Sequence, residues 1–284
     1  MSPEDHTTGE PYTEIRIERT GFVAEVVLCH PEKRNAMTTR FFRECGRAFD
    51  EIDADPDLRV AIVRAEGPVF SAGLDLVEAA GTLLSASGGG TKRSPAVRGD
   101  ALHREIRSLQ GGFTAIERWR KPVIAAIQGK CVGGGVDLTT ACDIRLSTRD
   151  ASFSIYEARV GIVADVGTLQ RITAIVGKGM AREMAYTTRF VDAERALACG
   201  LVNEVHEDHE AVVAAAHRMA AEIAENAPLA VQGSKHVLNY SDEHSTEEGL
   251  EYVAQWNASR LHSDDLREAM AAFAEKRKPE FKGQ

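Results

Sequence analysis

The stretch Val123-Ile124-Ala125-Ala126-Ile127-Gln128-Gly129-Lys130-Cys131-Val132-Gly133-Gly134-Gly135-Val136-Asp137 decides the fold class. Its first five residues are a continuous apolar run, which suits a strand buried on both faces. The triple glycine lets the backbone turn sharply, and a helix opens over Gly134 to Ala141. Strand, glycine turn and helix in succession form a βα unit of a layered α/β fold. A glycine turn entering a helix also presents unpaired N–H groups at the positive end of the helix dipole, a natural place for an oxygen that becomes negative. Asp137 follows this turn directly, and Glu157 and Asp165 come soon after it in Tyr156-Glu157-Ala158-Arg159-Val160-Gly161-Ile162-Val163-Ala164-Asp165-Val166-Gly167-Thr168-Leu169-Gln170-Arg171. Three carboxylates beside an anion-stabilising backbone point to proton-transfer chemistry.

Working outward, Val60 to Ala65 repeats the buried-strand signature, and Phe70-Ser71-Ala72-Gly73-Leu74-Asp75-Leu76 is a second small-residue turn placed after it. An amide from this turn aimed at the same point would complete an oxyanion hole. Near the N-terminus, Tyr12 to Leu28 alternates in two β-rich pieces around Thr20-Gly21, a hairpin pattern. From Thr38 to Ala54, Phe41, Phe42, Cys45, Ala48, Phe49 and Ile52 recur at helical spacing, with Thr38 or Thr39 able to cap the start. Gly81 to Gly99 is rich in Gly and Ser and is predicted to be a mobile surface loop, and the segment Gly81 to Gly112 is expected to contribute to the pocket walls. Past Val205, two long helical patterns, Glu210 to Ala227 and Glu247 to Lys276, form a helical appendage that suits packing on neighbours or plain solvation.

The chain has 284 residues, 43% of them hydrophobic, enough to bury a full core. No apolar run reaches the roughly 18 residues of a membrane span, and the first eleven residues are polar and acidic, so a cytoplasmic protein without a membrane partner is expected. A formal charge of −9 argues against nucleic acid or an anionic surface as partner. The five cysteines, Cys29, Cys45, Cys131, Cys142 and Cys199, show no paired spacing, so reduced thiols are expected rather than disulfides or a zinc site. His206 and His209 lack further ligands nearby, and Cys131 and Cys142 lack a histidine partner in sequence. Neither a metal nor a thiol nucleophile is expected.

Five motifs in register resemble the crotonase (enoyl-CoA hydratase/isomerase) superfamily from roughly Tyr12 to Phe281: His30 to Met37, Phe70 to Leu76, Val132 to Asp137, Glu157 to Gly161, and Ala272 to Phe281. The resemblance implies an α/β fold, a crotonase-like spiral of repeated ββα units with a C-terminal helical region. It divides the chain into a polar tail (1–11), a spiral core carrying the site (12–205) and a helical trimerisation region (206–284), assembled as a homotrimer or homohexamer. It also implies an acyl-CoA thioester as substrate, with no separate cofactor, its carbonyl held by the amides of Leu74 and Gly134. Lys33, Arg34, Ala36, Ala72, Asp75, Lys276 and Lys278 become the expected CoA contacts, the basic ones for the phosphates.

Within that family, hydratases place two glutamates at the positions of Asp137 and Glu157 and a glycine at that of Asp165. The triplet found here more closely resembles the Δ3,5-Δ2,4-dienoyl-CoA isomerases of fatty acid β-oxidation. That resemblance implies a proton-transfer pair of Glu157 and Asp165, one ionised and one protonated, with Asp137 supporting charge or orientation. An enoyl-CoA hydratase that uses Asp137 and Glu157 is the alternative within enzymes. A catalytically silent acyl-CoA-binding or scaffold protein, or an RNA binder, is the alternative outside them.

Overall fold

The computed structural model describes residues 11–80 and 94–284. The predicted hairpin is present as β1 (Ile15–Thr20) and β2 (Val23–Leu28), paired antiparallel. It enters a six-stranded sheet with β3 (Val60–Ala65), β4 (Val123–Ile127), β6 (Ile144–Thr148) and β9 (Glu204–His206), in the order β1-β2-β3-β4-β6-β9. From β2 onward the pairing is parallel, with Val23 opposite Val60 and Ile124 opposite Ile144. A smaller sheet joins β5 (Lys130–Val132), β7 (Ser152–Ser154) and β8 (Val191–Asp192).

The parallel strands are apolar throughout because both faces are covered. Along β3, Ala61 and Val63 point into one core with Phe42, Phe49 and Phe113, whereas Val60 and Ile62 point into a second with Val212, Ala216 and Ala220. The first layer is built by α1 (Thr39–Ala54), capped by the Thr38 hydroxyl accepting the Phe41 N–H at 3.1 Å, and by α2 (Pro95–Arg118). The second layer is α6 (His209–Ala224), whose buried alanines lie flat on the sheet. Its position departs from the expected division at residue 205: α6 closes the second core of the main sheet instead of belonging to an appendage, and small side chains at 215, 216 and 220 allow the close approach.

The rest of the chain supplies α3 (Gly134–Ala141), as expected, then α4 (Thr168–Thr187) and α5 (Ala193–Ala198), and finally α7 (Pro228–Glu243), α8 (Thr246–Arg260) and α9 (Asp264–Glu275). The single pattern predicted from Glu247 to Lys276 is two helices, because the Ser263 hydroxyl accepts the Leu266 N–H at 3.1 Å and starts a new one. The loop predicted from Gly81 to Gly99 gives way at Ser94, which caps α2. Residues 81–93 lie outside the described residues.

Candidate active site

After β3 the chain runs beside β5. The Ser71 N–H donates to Lys130 O at 3.1 Å, and the Val132 N–H donates to Ser71 O at 3.0 Å. This pairing lays the turn at Gly73 against the triple glycine. A Cβ on Gly73 would lie 2.8 Å from Val132 O and 3.3 Å from the Gly134 nitrogen, so only glycine, here at φ +85°, permits the approach. Three neighbouring amides are occupied: Gly73 N–H by Ser71 Oγ, Asp75 N–H by Met37 O, Gly133 N–H by Ser154 O. Among the described residues no hydrogen bond engages the N–H groups of Leu74 and Gly134. A Cβ built on Gly134 would stand 3.7 Å from the Leu74 nitrogen, so the two free donors adjoin one another at the start of α3. Two adjoining unengaged amides can both donate to a single oxygen placed between them.

The carboxylates gather around the same point. Asp137, in the first turn of α3, is 1% exposed, and its Oδ1 accepts the Thr168 N–H at 2.6 Å, which ties the start of α4 to the start of α3. Burial pushes its pKa above the ordinary value, with Asp165 adding to the effect and the Thr168 bond and the Arg171 charge opposing it. Glu157 opens a short 3₁₀ turn (Glu157–Val160), and its Oε1 reaches to 3.1 Å from where a Gly133 Cβ would be. Its Oε2 is buried without a hydrogen-bond partner among the described residues. Burial, then the charge of Asp137, then that of Asp165 raise the Glu157 pKa to about 7. Asp165 is exposed at the rim of the pocket, where partial burial of its carboxyl raises its pKa as well. All three face a cavity of about 390 Å³, lined otherwise by Met37, Leu74, Gly134 and apolar side chains that include Leu102, Ile106 and Leu109 of α2 and Val160, Ile162 and Val166. An apolar chamber with two free amides at one wall and raised carboxyls at the other can enolise a carbonyl compound and move its protons.

Residues 18–284 match the family described as enoyl-CoA hydratase/isomerase. The chain belongs to the enoyl-CoA hydratase/isomerase family. It is 44% identical over 273 residues to a Δ3,5-Δ2,4-dienoyl-CoA isomerase of Dictyostelium discoideum named mitochondrial, covering 95% of this chain and 92% of that one. It is 43% identical over 267 residues to an Arabidopsis thaliana protein of the same name, labelled peroxisomal, with 94% and 95% covered. Among solved structures, an enoyl-CoA hydratase from Bacillus anthracis superimposes with a TM-score of 0.85 at 29% identity, covering 96% of this chain and 100% of that one. These relatives overturn the expected cytoplasmic location, since their names place them in organelles. The expectation rested on the polar, acidic N-terminus and the absence of an apolar span. Among the described residues no helix is long and apolar enough to cross a membrane, but that observation does not assign a compartment.

Within this family member the expected contacts fall into three groups. Ala72 and Asp75 line the cavity, and the Arg34 carbonyl accepts the Ala72 N–H at 2.9 Å, which brings the turn carrying Lys33, Arg34 and Ala36 beside the first oxyanion turn. Lys33 and Arg34 are exposed there. The Asp75 carboxylate is committed to backbone, accepting the N–H groups of Val77 and Glu78 at 2.9 and 3.1 Å as it caps the helical residues 76–80. Lys276 and Lys278 are not brought to the cavity within one chain. Lys278 pairs with Glu225 and shares a surface hollow with Arg59, which precedes β3, whereas the turn at Gly73 follows β3 at the other end of the sheet. Lys276 ends α9 in a left-handed conformation. His206 bonds Glu204 at 2.9 Å, and Cys131 and Cys142 are buried thiols with raised pKa values. Sequence reasoning missed Thr168, whose backbone holds Asp137, whereas the wall expected from Gly81 to Gly112 is supplied within the described residues by Leu102, Ile106 and Leu109, on a helix that was not foreseen. The pairing of a glycine with a following threonine at 167–168 is a helix-start signal that could have located Thr168.

Proposed function

We propose that the protein converts 3,5-dienoyl-CoA to 2,4-dienoyl-CoA, as in fatty acid β-oxidation. The observation that carries this reading is the presence of three carboxyl groups, Asp137, Glu157 and Asp165, on one apolar cavity that also presents two unengaged amides. The thioester oxygen accepts hydrogen bonds from Leu74 and Gly134, which stabilises the enolate formed when a C2 proton leaves. The negative charge spreads through the diene, and a proton returns at C6. Two separated carbons call for two separated carboxyl groups, and Glu157 and Asp165 fill these roles, one ionised and one protonated, titrating as a coupled set with Asp137. Asp137, fixed by the Thr168 N–H, serves orientation and charge. Lys33, Arg34, Ala36, Ala72 and Asp75 hold the CoA arm in this reading, supported by Ala72 and Asp75 lining the cavity and by the turn at Arg34 being bonded to Ala72. The reaction needs no separate cofactor, since CoA arrives as part of the substrate.

The chain further suits a homotrimer or homohexamer, because Leu238, Leu250, Met270 and Phe273 on α7, α8 and α9 are large apolar side chains left exposed among the described residues. Diode-array spectroscopy tests the activity. With a 3,5-dienoyl-CoA, the near-ultraviolet band of the conjugated product should grow, and E157Q and D165N should each suppress it. Loss of enoyl absorbance on a 2-enoyl-CoA without dienoyl formation would instead favour the hydratase reading, and silence on both would favour a binding protein.

A further inference from the structure

The turn 165–168 carries two parts of the site at once: the Asp165 side chain and the N–H that holds Asp137. Its backbone is not self-supporting. Gly167 has φ +124°, and a Cβ there would fall 1.8 Å from Nη1 of Arg171, so the guanidinium is packed directly under the turn. The same Nη1 donates a long hydrogen bond, 3.5 Å, to Val166 O. Nε and Nη2 both donate to Oε2 of Glu117, at 3.1 and 2.9 Å, and the Arg171 side chain is only 10% exposed. Glu117 belongs to α2, and so does Gln110, whose Nε2 donates to Asp165 O at 2.6 Å. The helix whose Leu102, Ile106 and Leu109 line the cavity therefore also grips the turn at two places, once directly and once through Arg171.

We propose that Arg171 is a positioning residue for proton transfer: keyed beneath Gly167 and anchored to Glu117, it holds the turn so that Asp165 faces the cavity while the Thr168 N–H stays on Asp137. The role rests on the isomerase reading. A guanidinium suits it because the Nε and Nη2 edge can bind a carboxylate while Nη1 sits beneath the glycine backbone, which a lysine ammonium cannot do at once. Arg171 touches none of the reacting atoms. Its effect is on geometry, where an error of about 1 Å costs on the order of 100-fold in rate.

The test uses the full chain as wild type, R171M, R171K and E117Q, with two readouts: steady-state turnover of a 3,5-dienoyl-CoA, and calorimetric affinity for the unreactive saturated octanoyl-CoA. R171M should lower kcat on the order of 100-fold. Its octanoyl-CoA Kd should stay within about twofold, because the Leu74 and Gly134 amides and the cavity-lining side chains of α2 are unaltered. R171K should recover only part of the loss. E117Q keeps Arg171 and one hydrogen-bond acceptor for it and should show a smaller loss of the same kind, which keeps the test decisive if R171M fails to fold. Turnover of R171M within about twofold of wild type would overturn the role, and so would an equal loss of octanoyl-CoA affinity and turnover. A wild type silent on the dienoyl substrate would overturn the isomerase reading itself, a result separate from an active wild type with an indifferent R171M.

Discussion

Glu157 should make the folded protein less stable as it ionises, and replacing it by glutamine should reverse that. Burial, Asp137 and Asp165 raise its pKa from the ordinary 4.5 to about 7. The folded chain thus binds this proton more tightly than the unfolded chain does. Below about pH 4.5 both states carry the proton and the group favours neither. Between that value and about 7 the unfolded state ionises while the folded state does not, and stability falls as pH rises. With each tenfold in proton affinity equal to about 1.4 kcal/mol, the loss above neutrality is about 3 kcal/mol. E157Q cannot ionise, so its stability relative to wild type should climb by about that amount between pH 4.5 and 8, whatever fixed cost the amide brings. Urea denaturation of both proteins at several pH values reads the difference directly. Part of the shift comes from Asp137, so in a D137N background the same climb should shrink. A difference between wild type and E157Q that stays flat across this range, within about 0.5 kcal/mol, would refute the placement of Glu157 as a buried, mutually repelled carboxyl.

Three further outcomes follow from the geometry. G73A places a Cβ 2.8 Å from Val132 O at a left-handed position and must displace the Leu74 amide, so kcat on a dienoyl-CoA should drop by about 10²–10³, measured by the same spectroscopy. Lys235 is buried and donates to Ile116 O, Lys121 O and, at 2.8 Å, to Asp143; K235M removes these charge-assisted bonds, while Asp143 keeps solvent and the Val123 N–H, and should cost about 1.5–3 kcal/mol in denaturant unfolding. I106W puts an indole into the apolar end of the cavity, and kcat/KM should fall more for long acyl chains than for short ones, as a substrate series would show.

The βα unit around the triple glycine was legible because its signals are local: an apolar run for a strand covered on both sides, glycines for a turn, and a short helix from Gly134 to Ala141. The hairpin and α1 were legible for the same reason, each carrying its own periodicity and cap. Helix α2 was not. Gly111-Gly112 reads as a break in a pattern already poor in apolar residues, yet a Cβ at Gly112 would lie 2.5 Å from Phe42 O, so the glycine marks where α1 and α2 touch. That reason exists only once both helices are in place. Helix α6 misled in the opposite way, since its alanines look like those of a solvated helix until a sheet is laid against them. The carboxylate triplet was visible in the chain, but the groups that hold it lie at long range, as in the 31-residue separation between Asp137 and Thr168.

That contrast explains how the site can be strained and still be held. Glu157 is kept in a setting that disfavours its charge, with one oxygen unpartnered, and nothing in its own 3₁₀ turn stabilises the anion enough to restore an ordinary pKa. Rigidity has to come from elsewhere, and it comes from pieces distant in sequence. α3 and α4 are locked by a 2.6 Å bond through Asp137, and α2 grips the Asp165 turn through Gln110 and through Glu117 and Arg171. Burial alone would raise a carboxyl pKa without fixing where its oxygen points. The proposed transfer, with a proton leaving one end of a conjugated chain and returning at the other, needs both, so in that reading the polar tethers behind the cavity matter as much as the apolar walls in front of it.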